Sequence, residues 1–167
     1  MNIGVITYDY AHLKTEQLVT RYARDQRVES IHLYALPFVE RPQRAVLIPH
    51  RPDMTKAVPT ESLAELACVK FARWDGKSNI GSACDIFVIA GAGILDIAFA
   101  KGKPIVNAHP GILPTCRGLD AFKWAILNND EIGVTLHMID NSVDRGTVIC
   151  IERTPVFSTD DIDLLAR

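Results

Sequence analysis

The sequence lacks the marks of several protein classes. Its four cysteines, Cys68, Cys84, Cys116 and Cys150, form no CxxC pair and no Cys/His ligand spacing. No metal is therefore expected, and the thiols read as reduced cysteines of a cytoplasmic protein. No apolar run approaches the roughly 20 residues that span a bilayer, so no membrane partner is expected. The N-terminus, MNIGVITYDY, carries neither a basic region nor a long apolar stretch, so it is not read as a signal peptide. A net charge of −2 gives no bulk attraction to nucleic acid. No glycine lies between Gly4 and Gly76, which removes a dinucleotide fingerprint after the first strand. There is no internal repeat, low-complexity tract or linker.

What is present is an ordinary globular composition. The 167 residues are 48% hydrophobic and 23% charged, enough for one domain, 1–167, with a core of its own. Short β-branched runs alternate with helical patterns. Asn2 to Thr7 and Ile31 to Leu36 read as strands, with Val69 to Phe71 and Asp85 to Ala90 after them. Asp85 to Ala90 is apolar throughout, the pattern of a parallel strand covered on both faces. Thr15 is expected to cap a helix running to about Arg27, and Thr60 one running to about Ala67. A short helix or turn is expected over Ile94 to Ala100, and a helix over Asp120 to Asn129 with Phe122, Ala125 and Ile126 inward and Trp124 partly so. Val134 to Ile139 alternates, and Val148 to Ile151 closes the pattern as a nearby antiparallel strand. The fold class is α/β: an open, mostly parallel, Rossmann-like sheet with helices on both faces and the last strands antiparallel.

The proline-rich segment from Pro37 to Pro59 holds Arg41, Arg44, His50 and Arg51 around a short strand, Ala45 to Ile48. It reads as a solvated loop or as an anion-binding loop, since guanidinium groups suit phosphate geometry.

The chemistry centres on PIVNAHPGILPTCRG, residues 104–118. Ile105 and Val106 deliver Asn107 and His109 to a loop stiffened by Pro110 and Pro114. Two residues apart on extended backbone, Asn107 and His109 point to one side. An asparagine amide can donate to an oxyanion without titrating, and a histidine can move a proton near neutrality. Asp144, in IDNSVDRGTVI, is the carboxylate that could position or charge that histidine. Each could also be a plain turn residue. A zinc site from His109, His137 and Asp144 has no motif spacing. A Cys116 nucleophile lacks a helix N-terminus or base at its thiol. Gly91 and Gly93 follow the strand over Asp85 to Ala90, where ligands collect in open α/β sheets.

These residues resemble the folate-dependent formyltransferase family. The resemblance runs from Asp85 to Ile149 and rests on NAHPGILPTCRG, WAILNNDEIGVTLHMID and DRGTVI. It implies direct transfer of a formyl group from 10-formyltetrahydrofolate to a primary amine, with Asn107, His109 and Asp144 catalytic. It implies that Gly93, Ile94 and Leu95 hold the pterin, with Ile105 and the loop Asp140 to Asp144 as further walls. His137 either lines the site or is structural. The place of a glycine-rich phosphate loop reads TYDYAHLK, which disfavours glycinamide ribonucleotide, and no RNA-binding domain is in sight. The motifs look most like the sugar-nucleotide N-formyltransferases, so the expected partner is a small-molecule amine on a nucleotide-linked sugar. The family continues into a further helix where this sequence stops at Arg167, and an uncovered apolar face there would favour a homo-oligomer. Hydrolysis of the folate, or a non-catalytic folate-binding module, are the competing readings.

Overall fold

The computed structural model describes residues 1–37, 39 and 57–162. The loop arginines Arg41, Arg44 and Arg51 and the strand expected over Ala45 to Ile48 lie outside them. The chain forms two compact units, the first made of described residues up to Asn107 and the second of those from Ala108 on.

The first unit is a parallel sheet. Its strands are β1 (Asn2–Tyr8), β2 (Ser30–Leu36), β3 (Val69–Arg73), β4 (Ile86–Ile89) and β5 (Ile105–His109), the last running on into the second unit. They lie in the order β3-β2-β1-β4-β5, and every pair is parallel. Helix α1 (Leu13–Ala23) crosses from β1 to β2. Ile3, Val5, Val19, Ile31, Leu33 and Leu63 form the core between sheet and helix. Burying each such side chain contributes about 1.5–3 kcal/mol. A set of edge-on aromatic rings, Phe87, Phe99 and Trp74, packs together elsewhere in the unit, with centroids 4.9 to 5.2 Å apart.

The second unit holds helix α2 (Ala121–Asn128) and the antiparallel pair β6 (Gly133–Met138) and β7 (Val148–Arg153). Its apolar cluster is Cys116, Ala121, Ala125 and Ile132. The open, mostly parallel sheet with antiparallel last strands is thus the architecture observed.

Several expected details are corrected. Thr15 does not cap α1; the helix starts two residues earlier behind His12, and the Thr15 hydroxyl is buried against that of Thr7. The same helix stops at Ala23, because Arg24 and Asp25 close a turn that the Asp25 carboxylate ties to the Arg27 amide. Thr60–Glu65 is a 3-10 helix whose first residue is Thr60; the threonine hydroxyl donates to the Tyr10 carbonyl at 2.6 Å instead of capping. The turn expected over Ile94 to Ala100 is a 3-10 helix over Ile97–Ala100 only. In β4 only Phe87 and Ile89 are fully buried; Ile86 and Val88 are half-buried. In α2 the buried residues are Ala121, Lys123 and Ala125, with Phe122 and Ile126 half-buried. Lys123 is only 3% exposed; Asp120 pairs with its ammonium at 3.2 Å, and the same ammonium lies 5.9 Å from the centre of the Phe122 ring.

Candidate active site

Three elements of the second unit bring the candidate residues together. Strand β5 ends on His109, which is 3% exposed. Strand β6 buries its polar side, Thr135 and His137, and leaves Val134 40% exposed. The loop after β6 carries Asp144 in a left-handed conformation, φ 50°.

That loop has a clear local cause. Gly146 lies so close to the Met138 carbonyl that a Cβ would overlap it, so the loop can close only on glycine. The Asp140 carboxylate accepts from the Ser142 amide at 2.7 Å, an Asx turn that starts the reversal. Asp144 is then fixed from two sides. Its Oδ2 accepts from the Gly118 amide at 2.9 Å, and its backbone carbonyl accepts from Arg117 Nε at 3.0 Å.

Asp144 stands between two imidazoles. His109 Nδ1 is 3.6 Å from Asp144 Oδ2, and His137 Nε2 is 3.7 Å from Oδ1. The rings meet edge to face, 6.3 Å between centroids. Each ring's other nitrogen faces a backbone carbonyl: His109 Nε2 is 2.9 Å from the Cys116 oxygen, and His137 Nδ1 is 3.1 Å from the Met138 oxygen. A carbonyl can only accept, so those nitrogens carry the hydrogens. In the neutral rings the bare nitrogens therefore face the carboxylate. A proton taken up at His109 Nδ1 meets a negative charge at once. The arrangement is a buried base with its counter-charge already in place, suited to general acid–base work. His137 is 1% exposed, and its Nε2 faces the other oxygen of the same carboxylate.

The loop between His109 and α2 hangs from β6. The Thr135 hydroxyl, fully buried, donates to the Gly111 carbonyl at 2.7 Å and accepts from the Leu113 amide at 3.0 Å. Cys116 serves through its carbonyl. Burial, with Asp130 beside it, pushes its thiol up, which disfavours a thiolate.

The remaining sequence-derived candidates sit as follows. Asn107 lies on β5 two residues before His109, half-buried and in register with Ile89 of β4. Gly93, Ile94 and Leu95 form the loop after β4, where Ile94 is 89% exposed. Ile105 is buried in β5 and Asp140 is exposed. Among the described residues no three His, Cys, Asp or Glu form a metal-holding group, and no helix is long and apolar enough to cross a membrane. Thr135, Lys123, Gly118 and the Cys116 carbonyl were not singled out from sequence. The threonine–histidine alternation on β6 was a signal for Thr135 alone.

Fold and site define a doubly wound α/β protein with an imidazole–carboxylate centre at the end of a parallel strand. A family model described as formyl transferase matches residues 84–167, half of the chain. The chain belongs to the formyl transferase family. It is 37% identical over 86 residues to the phosphoribosylglycinamide formyltransferase of Haemophilus influenzae, covering 48% of this chain and 40% of that protein. It is 28% identical over 145 residues to the methionyl-tRNA formyltransferase of Streptococcus mutans, covering 81% of this chain and 46% of that protein. The X-ray structure of a sugar N-formyltransferase from a Shewanella species superposes with a TM-score of 0.65 at 18% identity, over 99% of this chain and 62% of that one. The chain spans less than half the length of these two curated relatives.

Proposed function

We propose that this chain transfers a formyl group from 10-formyltetrahydrofolate to a primary amine on a nucleotide-linked amino sugar. The observation that carries the reading is the buried His109 facing Asp144 in a chain of this family. The folate would supply a formyl group on a nitrogen that can leave. The attacking amine bonds to the formyl carbon as the carbon–nitrogen bond of the donor breaks. Asn107 donates its amide to the carbonyl oxygen as that oxygen gains charge. His109 takes the amine's proton at Nδ1 and passes it to the departing nitrogen, so the imidazole ends as it began. Asp144 holds the charge of the imidazolium in between.

Gly93, Ile94, Leu95, Ile105 and Asp140 are assigned to the pterin. The exposed Ile94, on the loop at the end of β4, fits a flat ring. The amino-sugar acceptor is supported by HPGILPTCRG, WAILNND and GVTLHMID and by the absence of glycine in the loop after β1. The relatives named above differ in their acceptors, so the acceptor rests on these residues.

The test is turnover by the purified full chain. It receives 10-formyltetrahydrofolate with nucleotide-linked amino sugars, with glycinamide ribonucleotide, or with no acceptor, and tetrahydrofolate release is followed. Release with an amino sugar, lost in His109→Ala while folate binding persists, is the expected result. Release without acceptor would replace transfer by hydrolysis, and folate binding with no release would leave a binding module.

A further inference from the structure

Three consecutive residues on the loop before α2 hold both members of the imidazole–carboxylate pair. The Cys116 carbonyl meets His109 Nε2 at 2.9 Å. Arg117 donates from Nε to the Asp144 carbonyl at 3.0 Å, and Gly118 donates its amide to Asp144 Oδ2 at 2.9 Å. The gap from His109 Nδ1 to Asp144 Oδ2, 3.6 Å, is thus spanned by one tripeptide.

The three contribute differently. Cys116 is buried and acts through its backbone. Gly118 also acts through its backbone, in the left-handed region at φ 81°. A Cβ there would meet nothing within 4 Å, so glycine is called for by the conformation and not by lack of room. Arg117 is the member that reaches Asp144 with its side chain. It is exposed, and a surface arginine is ordinarily a solvated charge. Among the described residues no carboxylate pairs with it.

The atom it bonds decides what it does. A guanidinium paired with the Asp144 carboxylate would compete with the imidazoles for that charge. Bonded to the backbone carbonyl of the same residue, it holds the loop and leaves the carboxylate to His109 and His137. Asp144 has reason to be held. Its backbone is left-handed, φ 50°, which a residue with a Cβ adopts at a cost, so a bond from outside its own loop helps to keep it there.

We propose that Arg117 is a positioning residue for formyl transfer: through the Asp144 carbonyl it keeps the Asp144 carboxylate facing His109. This rests on the formyl-transfer reading and adds to it a residue that need not touch either substrate.

Arg117→Ala and Arg117→Lys are made in the full chain, alone and together with Asp144→Asn, with folding checked by circular dichroism. Tetrahydrofolate release, with whichever amine the wild type turns over, gives kcat and the KM of donor and acceptor. Arg117→Ala is expected to lower kcat roughly 10–10²-fold, with both KM values within about twofold of wild type. Methylguanidinium added to Arg117→Ala should restore part of the loss, and Arg117→Lys, which keeps a donor, should lose less. On Asp144→Asn the alanine substitution should cost almost nothing further, because the carboxylate it positions is already gone. An unchanged kcat would overturn the proposal. A raised acceptor KM would overturn it by making Arg117 a substrate contact, and a full further loss on Asp144→Asn would overturn it as well.

Crystal structures of wild type and Arg117→Ala judge the placement without turnover. Asp144 Oδ2 is expected about 3.6 Å from His109 Nδ1 in the wild type and displaced in the variant. The same distance in both would overturn the proposal. Absence of tetrahydrofolate release in the wild type would instead strike the formyl-transfer reading, and the two structures would still decide whether Arg117 places Asp144.

Discussion

Thr135→Val is the substitution that tests most of the site with least change of shape. It replaces a buried hydroxyl by a methyl of nearly the same volume. Two hydrogen bonds go, the one to the Gly111 carbonyl and the one from the Leu113 amide. Each buried polar group left without a partner costs about 1–3 kcal/mol, or about 2–6 kcal/mol for the pair. The added methyl offsets about 0.8 kcal/mol. Some relaxation of the loop leaves a net loss of about 2–4 kcal/mol. For a chain of this size that lowers the thermal midpoint by roughly 5–15 °C. Thr135→Ser keeps both bonds and deletes one buried methyl, for a loss of about 1 kcal/mol. The expected order of stability is therefore Thr, Ser, Val, although Val preserves the volume and Ser does not. Thermal unfolding by circular dichroism gives the order, and hydrogen exchange at the Leu113 amide locates the cause. If the Val variant is more stable than the Ser variant, or if Leu113 stays equally protected in it, the hydroxyl is not what holds this loop.

Two further outcomes are expected. Asp144→Asn keeps an oxygen for the Gly118 amide but removes the charge facing His109 and His137. Its thermal midpoint should stay close to wild type while turnover falls by roughly 10²–10⁴-fold; a fall in stability without a fall in turnover would make the carboxylate structural. His12 has its imidazole pushed down by burial and by Lys14, so the unfolded chain takes up the proton first. Stability from this source is complete above about 6.5 and is lost as pH falls from there toward the lower folded value. His12→Gln should flatten the midpoint-versus-pH curve below about 6.5, leaving the slope of His32, which burial also lowers. An unchanged slope would mean that His12 is solvated.

The strands were legible because each is a short β-branched run, and the approach of His109 to Asp144 because both stand in one family pattern. Other features depend on partners distant in sequence. Thr15 has the composition of a cap, yet its hydroxyl is claimed by Thr7, so the helix starts elsewhere. Lys123 has the composition of a surface residue, and Asp120 and the Phe122 ring are among the partners that make its burial tolerable. Two faces of β6 could be told apart by alternation, but which was inward depended on what met it. Gly111, Leu113 and Asp144 supply the partners that draw Thr135 and His137 inside.

That inversion has a consequence for folding. Slipping β6 by one residue would turn every side chain over. Val134 and Leu136 would go in, Thr135 and His137 would come out, and the apolar bookkeeping would improve. The native register is thus held against the hydrophobic effect, by the polar partners of two side chains and by the irregular pairing with β7 between Leu136 and His137. The strand is locally frustrated beside the imidazole–carboxylate pair.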